Sequence, residues 1–375
     1  MKIAVNTRLL LKDKLDGIGW FSFECLKRIT TQHPEHQFYF IFDRKFDEQF
    51  IFSDNITPIV KPPQARHPWL FYLWFEDALP PVFKQTGADI FLSPDGFLSL
   101  SSPVKSVAVI HDLNFEHFPE HLPRHITRYY RRNFPKFARK ACRIATVSEF
   151  SKSDIAETYG IDENKIDVVY NGVNESFKPL EHKVRQQVRD KYALGCPYFI
   201  FVGSLHPRKN LTNLFKAFEL FKSRHENNFK LMIAGAKMWW TSDIRKAYEQ
   251  MKFKDDVIFT GRVNSDELNH LIGAAFAMTY VSFFEGFGIP VLEAFSCEVP
   301  LITSSASSLP EITSNAALLV DPFSPVSIAN AMSELLSDEM LCSSLIGRGR
   351  VQKQNFTWQK SADRLWNCIM KAGNR

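Results

Sequence analysis

Two carboxylates bracket a Gly-Phe-Gly turn in the segment Glu285-Gly286-Phe287-Gly288-Ile289-Pro290-Val291-Leu292-Glu293. Gly286 and Gly288 let the backbone turn sharply and let a ligand approach main-chain N–H groups. Pro290 suits the first turn of a helix, because the N–H it lacks would be unpaired there and its φ is already helical. A helix starting at Ile289 offers N–H groups and a positive dipole end to a phosphate. Glu293 then stands roughly 6 Å along the axis at about 1.5 Å per residue. Both carboxylates thus border one anion-binding pocket, placed to hold sugar hydroxyls. On spacing alone, a strand-loop-helix connection with two solvated glutamates accounts for the segment equally well.

Positive charge is concentrated in Gly203-Ser204-Leu205-His206-Pro207-Arg208-Lys209-Asn210-Leu211, just ahead of an amphipathic helix. Arg208 donates from a planar fork and Lys209 as a mobile point charge, a combination suited to a diphosphate. Asp16-Gly17-Ile18-Gly19 opens a helix after the first strand and either brings N–H groups to a phosphate or is a flexible loop. His111-Asp112 follows the strand Val107–Ile110, and ligands of open α/β sheets bind beyond the carboxyl ends of strands. There His111 hydrogen-bonds a sugar hydroxyl or the acceptor, or is satisfied by a loop carbonyl. Arg262 and Val263 close a later strand, with Arg262 equally readable as a surface charge, and Gly235 marks a point of close approach. Ser148 reads as a helix N-cap.

The elements that position these groups are short apolar runs alternating with helical patterns, the signature of βαβ units around a parallel sheet. Expected strands are 2–6, 37–42, 56–60, 89–92, 106–110, 143–147 and 166–170 in the first half. In the second half they are 198–202, 229–234, 257–260, 277–280, 300–303 and 316–320, with a charged helix over 182–193 and a last helix over 357–373.

With 375 residues the chain is long enough for two domains, each with its own core. A hydrophobic share of 45% and a charged share of 23% describe an ordinary globular protein. The 34 phenylalanines read as core and interface packing. A net charge of +5 is too small to imply nucleic acid. Six scattered cysteines without a C-x-x-C pair suit reduced thiols in a cytoplasm and argue against zinc or a disulfide frame. The chain opens on a strand, so no signal peptide is expected, and no apolar run is long enough to span a membrane.

The pair Glu285 and Glu293, with seven residues between, resembles the E-x7-E motif of the retaining glycosyltransferases of family 4. Ser307-Ser308-Leu309-Pro310-Glu311 and Ala316-Ala317-Leu318-Leu319-Val320-Asp321-Pro322 resemble the family's flanking text, and the likeness runs over nearly the whole chain. The resemblance implies the α/β GT-B fold, two Rossmann-like domains with parallel sheets facing across a cleft. It implies an acceptor-binding domain over 1–175, a nucleotide-sugar-binding domain over 176–356, and a terminal helix over 357–375 crossing back to the first. It assigns Arg208, Lys209, Glu285 and His111 to catalysis. Gly17, Gly19, Gly203, Ser204, Arg262, Val263, Gly286, Phe287, Gly288 and Glu293 go to donor binding. Glu285 would hold hydroxyls of the donor sugar and Glu293 those of the ribose, while the basic loop neutralises the departing nucleotide. One departure stands out: many members carry Arg directly after the first glycine, where this chain has Ser204, leaving Arg208 to supply that guanidinium. Arg-Lys-Asn-Leu and His-Asp-Leu are similar to mannosyl- and rhamnosyltransferases of bacterial surface polysaccharides, which points to mannose or a related hexose from GDP. No Asp-x-Asp is present, so neither a donor-bound metal nor a cofactor is expected.

The expected partners are a nucleotide-sugar donor and a glycan or lipid-linked saccharide acceptor, with no nucleic acid. Residues 128–143 hold seven Lys or Arg and no acid, and Trp69 to Phe83 is strongly aromatic. Together they suit an anionic membrane surface, or else an amphipathic helix with a solvated basic face, and Pro135 argues against one straight helix. The expected place is the cytoplasm, peripheral to the inner face of the membrane. Two rival functions remain: a catalytically silent sugar-nucleotide or glycan binder, and a dinucleotide oxidoreductase. The oxidoreductase lacks the G-x-G-x-x-G that would join a first strand to a helix.

Overall fold

The computed structural model describes residues 1–236 and 240–374. They form two compact units, Met1–Gly172 with Thr357–Arg375, and Val173–Phe356. The first unit holds strands β1 (Lys2–Asn6), β2 (Gln37–Phe42), β3 (Ile56–Val60), β4 (Ile90–Ser93), β5 (Lys105–Val109), β6 (Arg143–Thr146) and β7 (Ile166–Val168). They make one parallel sheet in the order β3-β2-β1-β4-β5-β6-β7. The second unit holds β8 (Tyr198–Val202), β9 (Lys230–Ala234), β10 (Val257–Gly261), β11 (Ala277–Tyr280), β12 (Leu301–Ser304) and β13 (Leu318–Val320). These are also all parallel, in the order β10-β9-β8-β11-β12-β13.

Both sheets therefore share one winding. The chain starts in the middle, steps outward twice, then returns beside its first strand and continues the other way. Each has a switch point, between β1 and β4 and between β8 and β11, where loops leave neighbouring strands in opposite directions and open a crevice. Strands covered on both faces read as continuous apolar runs, and β8 (Tyr-Phe-Ile-Phe-Val) is buried throughout.

Helices cover the sheets through apolar stripes. In Leu211–Arg224, residues Leu211, Leu214, Phe215, Phe218 and Phe221 are buried at helical spacing, and many of the phenylalanines fill this core. The last helix, Trp358–Gly373, packs within the first unit against helix Gly17–Gln32 and strands β4 to β7. His33 stacks on Trp366 at 3.9 Å between ring centroids, and Lys371 pairs with Asp167 at 2.6 Å.

Three readings of the surface change. The basic segment is one continuous helix, Arg124–Lys140, running through Pro135. Proline forgoes only its own bond back one turn, and burial of Phe134, Phe137 and Ala138 on the same face holds the helix on. Arg143 is not on that basic face at all: it lies in β6, is 5% exposed and pairs with Asp167. Most of the aromatic segment is core, since Phe71, Trp74, Phe75 and Phe83 are buried and only Trp69 and Tyr72 among its aromatic rings are exposed.

Candidate active site

Of the groups singled out in the second half of the sequence, Arg208, Lys209, Glu285 and Glu293 converge on the switch point of the second sheet. The loop after β8 carries Arg208 and Lys209, and the loop after β11, the neighbouring strand, carries Glu285. Local structure fixes both loops. A single helical turn, Pro207–Lys209, follows His206, whose ring nitrogen accepts from the Arg208 N–H. Asn210 then takes a left-handed φ of 63° and donates its side-chain amide to the carbonyls of Val281 and Pro322. The two loops are thereby stitched together, and the Phe283 N–H donates to the Arg208 carbonyl.

Between them Glu285 accepts from both cations, Oε1 from Lys209 Nζ at 2.6 Å and Oε2 from an Arg208 guanidinium nitrogen at 2.8 Å. Arg208 also donates to the Phe284 carbonyl, and Lys209 to the Tyr280 hydroxyl at 2.6 Å. Burial alone would push the Glu285 pKa up, but Arg208 and Lys209 outweigh it and hold the carboxyl at about 2. Tyr280 is pushed the opposite way, by burial first and then by the Glu285 charge. Sequence reasoning passed over Tyr280. Its only signal was a place at the end of a strand bordering the site.

Gly286 and Phe287 lead to Gly288, whose φ of 95° requires glycine and starts helix Ile289–Ser296. A side chain there would also stand 2.8 Å from Leu309. Glu293 lies in this helix. Its Oε2 is fully covered and has no hydrogen-bond partner among the described residues. Burial raises its pKa to about 7, with the Lys209 charge opposing. A covered, unpartnered carboxylate oxygen is costly unless a ligand completes it. Gly203 follows β8 directly, and its carbonyl comes within 1.8 Å of where a side-chain carbon on Gly235 would lie, so Gly235 is needed for chain-to-chain approach. Ser204 is half-buried in the same loop as Arg208. Arg262 and Val263 lie past the end of β10, the edge strand, with Arg262 exposed.

The first unit has its own constellation at its own switch point. Asp95, after β4, accepts from Arg8 Nε at 2.5 Å and from the Asn6 amide at 2.9 Å, both after or at the end of β1. Arg8 also donates to the Ala65 carbonyl and lies against the rings of Phe71 and Phe97, 5.1 and 4.9 Å from their centroids. These three residues were missed. Asn6-Thr7-Arg8 and Ser93-Pro94-Asp95 stand at strand ends, which was the available signal. His111 does lie beside them, lining the same cavity of about 500 Å³. Its Nε2–H donates to the Pro94 carbonyl at 2.8 Å, and burial lowers its pKa, so the ring is neutral with Nδ1 left as an acceptor. Gly17 is exposed at the start of helix Gly17–Gln32, and the Gly19 N–H is already donated to Asp16. Ser148 caps the next helix, accepting from the Ser151 N–H.

Known proteins share this plan. Residues 27–177 match Glycosyltransferase Family 4, and residues 184–352 match Glycosyl transferases group 1. O-antigen chain mannosyltransferase B of Escherichia coli is 28% identical over 380 residues, covering 98% of this chain and 99% of its own. Sucrose-phosphate synthase from Thermosynechococcus elongatus superposes with a TM-score of 0.77 at 16% identity, covering 98% of this chain and 97% of that one. Anabaena HepE in complex with UDP and glucose gives 0.75 at 16% identity, covering 99% of each. The two family matches, one over each half of the chain, together with these relatives and the two doubly wound sheets, support a glycosyltransferase of the GT-B type.

Proposed function

We propose that the chain is a retaining hexosyltransferase of polysaccharide biosynthesis, moving mannose from GDP-mannose to a glycan or lipid-linked saccharide at the inner face of the cytoplasmic membrane. The observation that carries this is the buried Glu285 gripping Arg208 and Lys209 beside the unpartnered Glu293 oxygen, all at one switch point. A diphosphate leaving a sugar gains negative charge, and fixed donors aimed at that charge are the largest catalytic contribution such a site can make. Arg208 and Lys209 supply it without a divalent cation. Each Glu285 oxygen keeps a lone pair for a sugar hydroxyl while it holds the cations in place. Glu293 takes the ribose hydroxyls.

In the reaction the bond from the anomeric carbon to the phosphate oxygen breaks, and its electron pair stays on the diphosphate. The acceptor oxygen bonds to the same face of that carbon and passes its proton to a donor phosphate oxygen. His111 Nδ1 orients a hydroxyl of the acceptor in the first unit. The mannose and the acceptor class are supported by the mannosyltransferase of O-antigen chains that this sequence resembles. A nucleoside diphosphate is supported by the UDP and glucose bound to the HepE neighbour.

The test is a panel of GDP-, UDP- and dTDP-sugars assayed for thermal stabilisation and donor hydrolysis in the presence of a chelator. Stabilisation follows from mass action on the folded state. GDP-mannose should stabilise and be hydrolysed without metal. A shift seen only with Mg²⁺ or Mn²⁺, or with NAD and no nucleoside diphosphate, overturns the reading.

A further inference from the structure

The fold brings the basic and the aromatic segments of the first unit onto one cavity, separate from the one at the β1/β4 switch point. It encloses about 730 Å³. One wall is helix Arg124–Lys140, from which His125, Arg128, Arg132 and Lys136 line it, all four exposed and spaced three or four residues apart on one stripe. The apolar side chains Phe75 and Leu98 from other segments, and Phe137 from the same helix, also line it, all three buried.

Positive charge outweighs negative in this cavity, with Arg128, Arg132 and Lys136 against one carboxylate. The acid lining it is Glu76, and its oxygens already accept from the N–H groups of Leu100 and Ser101 and the Ser99 hydroxyl, at 2.7, 3.0 and 3.3 Å. Among the described residues Arg128, Arg132 and Lys136 have no carboxylate partner, whereas the adjacent Arg131 is held by Glu116. At the mouth, Tyr72 is 58% exposed, and Trp69, one helical turn away, is 64% exposed. Large amphipathic rings beside unpaired cations are what the headgroup level of a bilayer accommodates.

We propose that this cavity binds the phosphate of an anionic membrane phospholipid, with Arg128, Arg132 and Lys136 around the phosphate and the lipid's glycerol and first chain carbons against Phe75 and Leu98. Trp69 and Tyr72 enter the interface beside it. A planar guanidinium pair with a mobile ammonium suits phosphate oxygens, and the apolar wall favours an amphiphile over a free anion. The inference deepens the membrane-facing part of the proposed function and is independent of the donor site.

The test uses the full chain with phosphatidylcholine vesicles, the same vesicles containing phosphatidylglycerol, dihexanoyl phosphatidylglycerol below its micelle concentration, and inorganic phosphate. Selective binding to the phosphatidylglycerol vesicles and to the short-chain lipid is expected. Arg132→Gln with Lys136→Gln should weaken vesicle binding roughly 30-fold or more, the effect of two basic residues at an anionic surface. Arg124→Gln with Arg139→Gln, two exposed cations of the same helix outside the cavity, should change it only a few-fold. Equal losses in both variants would mean diffuse attraction and overturn the site. Inorganic phosphate binding as well as the lipid, or vesicles binding with no response to the short-chain lipid, would also overturn it. GDP-mannose stabilisation, measured on the same variants, should be unchanged. Its absence from every variant and the parent, with lipid binding retained, would remove the enzyme reading and leave the cavity assignment standing.

Discussion

The two units place a buried carboxylate and a cation at equivalent points of the same winding, yet treat them differently. In the first, Asp95 after the fourth strand holds Arg8 from beyond the first. In the second, Glu285 after the fourth strand of its sheet holds Arg208 and Lys209 from beyond the first of that sheet. Arg8 is enclosed by aromatic rings and a backbone carbonyl, so its charge is spent inside the protein. Arg208 keeps 23% of its side chain exposed, and the neighbouring Glu293 Oε2 has no hydrogen-bond partner among the described residues. The crevice thus carries a self-satisfied ion pair on the wall of its cavity in one unit and an incomplete, ligand-ready site in the other. Desolvated charge stabilises little by itself, so what matters is whether a partner is left for a ligand to supply.

Removing the ion pair of the first unit should have the largest effect. Asp95→Ala strands the Arg8 charge among Phe71 and Phe97, and breaking a buried pair in this way costs about 3–5 kcal/mol. Urea unfolding should show that loss, with GDP-mannose hydrolysis by the remaining folded protein little changed. A variant as stable as the parent would erase the contrast between the units. Next comes Lys209→Ala, which removes a fixed donor facing the leaving diphosphate and should lower kcat by roughly 10²–10³. Parent-like turnover would mean that the second crevice is also only structural.

The third prediction is smaller and concerns pH. Glu293 has a folded pKa of about 7 against an ordinary 4.5, so the folded protein holds a proton that the unfolded chain gives up. Stability from this group is complete below the unfolded value and is lost as pH rises through about 7. Glu285, held at about 2, acts the other way, contributing above its ordinary range and losing that contribution as pH falls through about 2. Glu293→Gln should therefore raise the melting temperature of the ligand-free protein at pH 8 by more than at pH 5, while raising KM for the donor. An equal shift at both pH values would show that Glu293 is not the buried, proton-holding group.

The amino-acid sequence by itself determined the elements. All thirteen strands lie within two residues of the spans expected from apolar runs, because a strand buried on both faces needs an unbroken run and turn residues at its ends. The start of the helix that carries Glu293 was equally legible, since a glycine turn and a first-turn proline are local signals. Tertiary structure decided what each charge meets. The Arg8–Asp95 pair spans 87 residues and the Lys209–Glu285 pair 76, so no local pattern couples them. Arg143 and the rings from Phe71 to Phe83 show the same limit. A basic or aromatic side chain in a run has the same composition whether it faces water or the core, and only the packing of distant segments fixes which. The order of strands in the sheet, which sets β8 beside β11 and β1 beside β4, put these charged groups together.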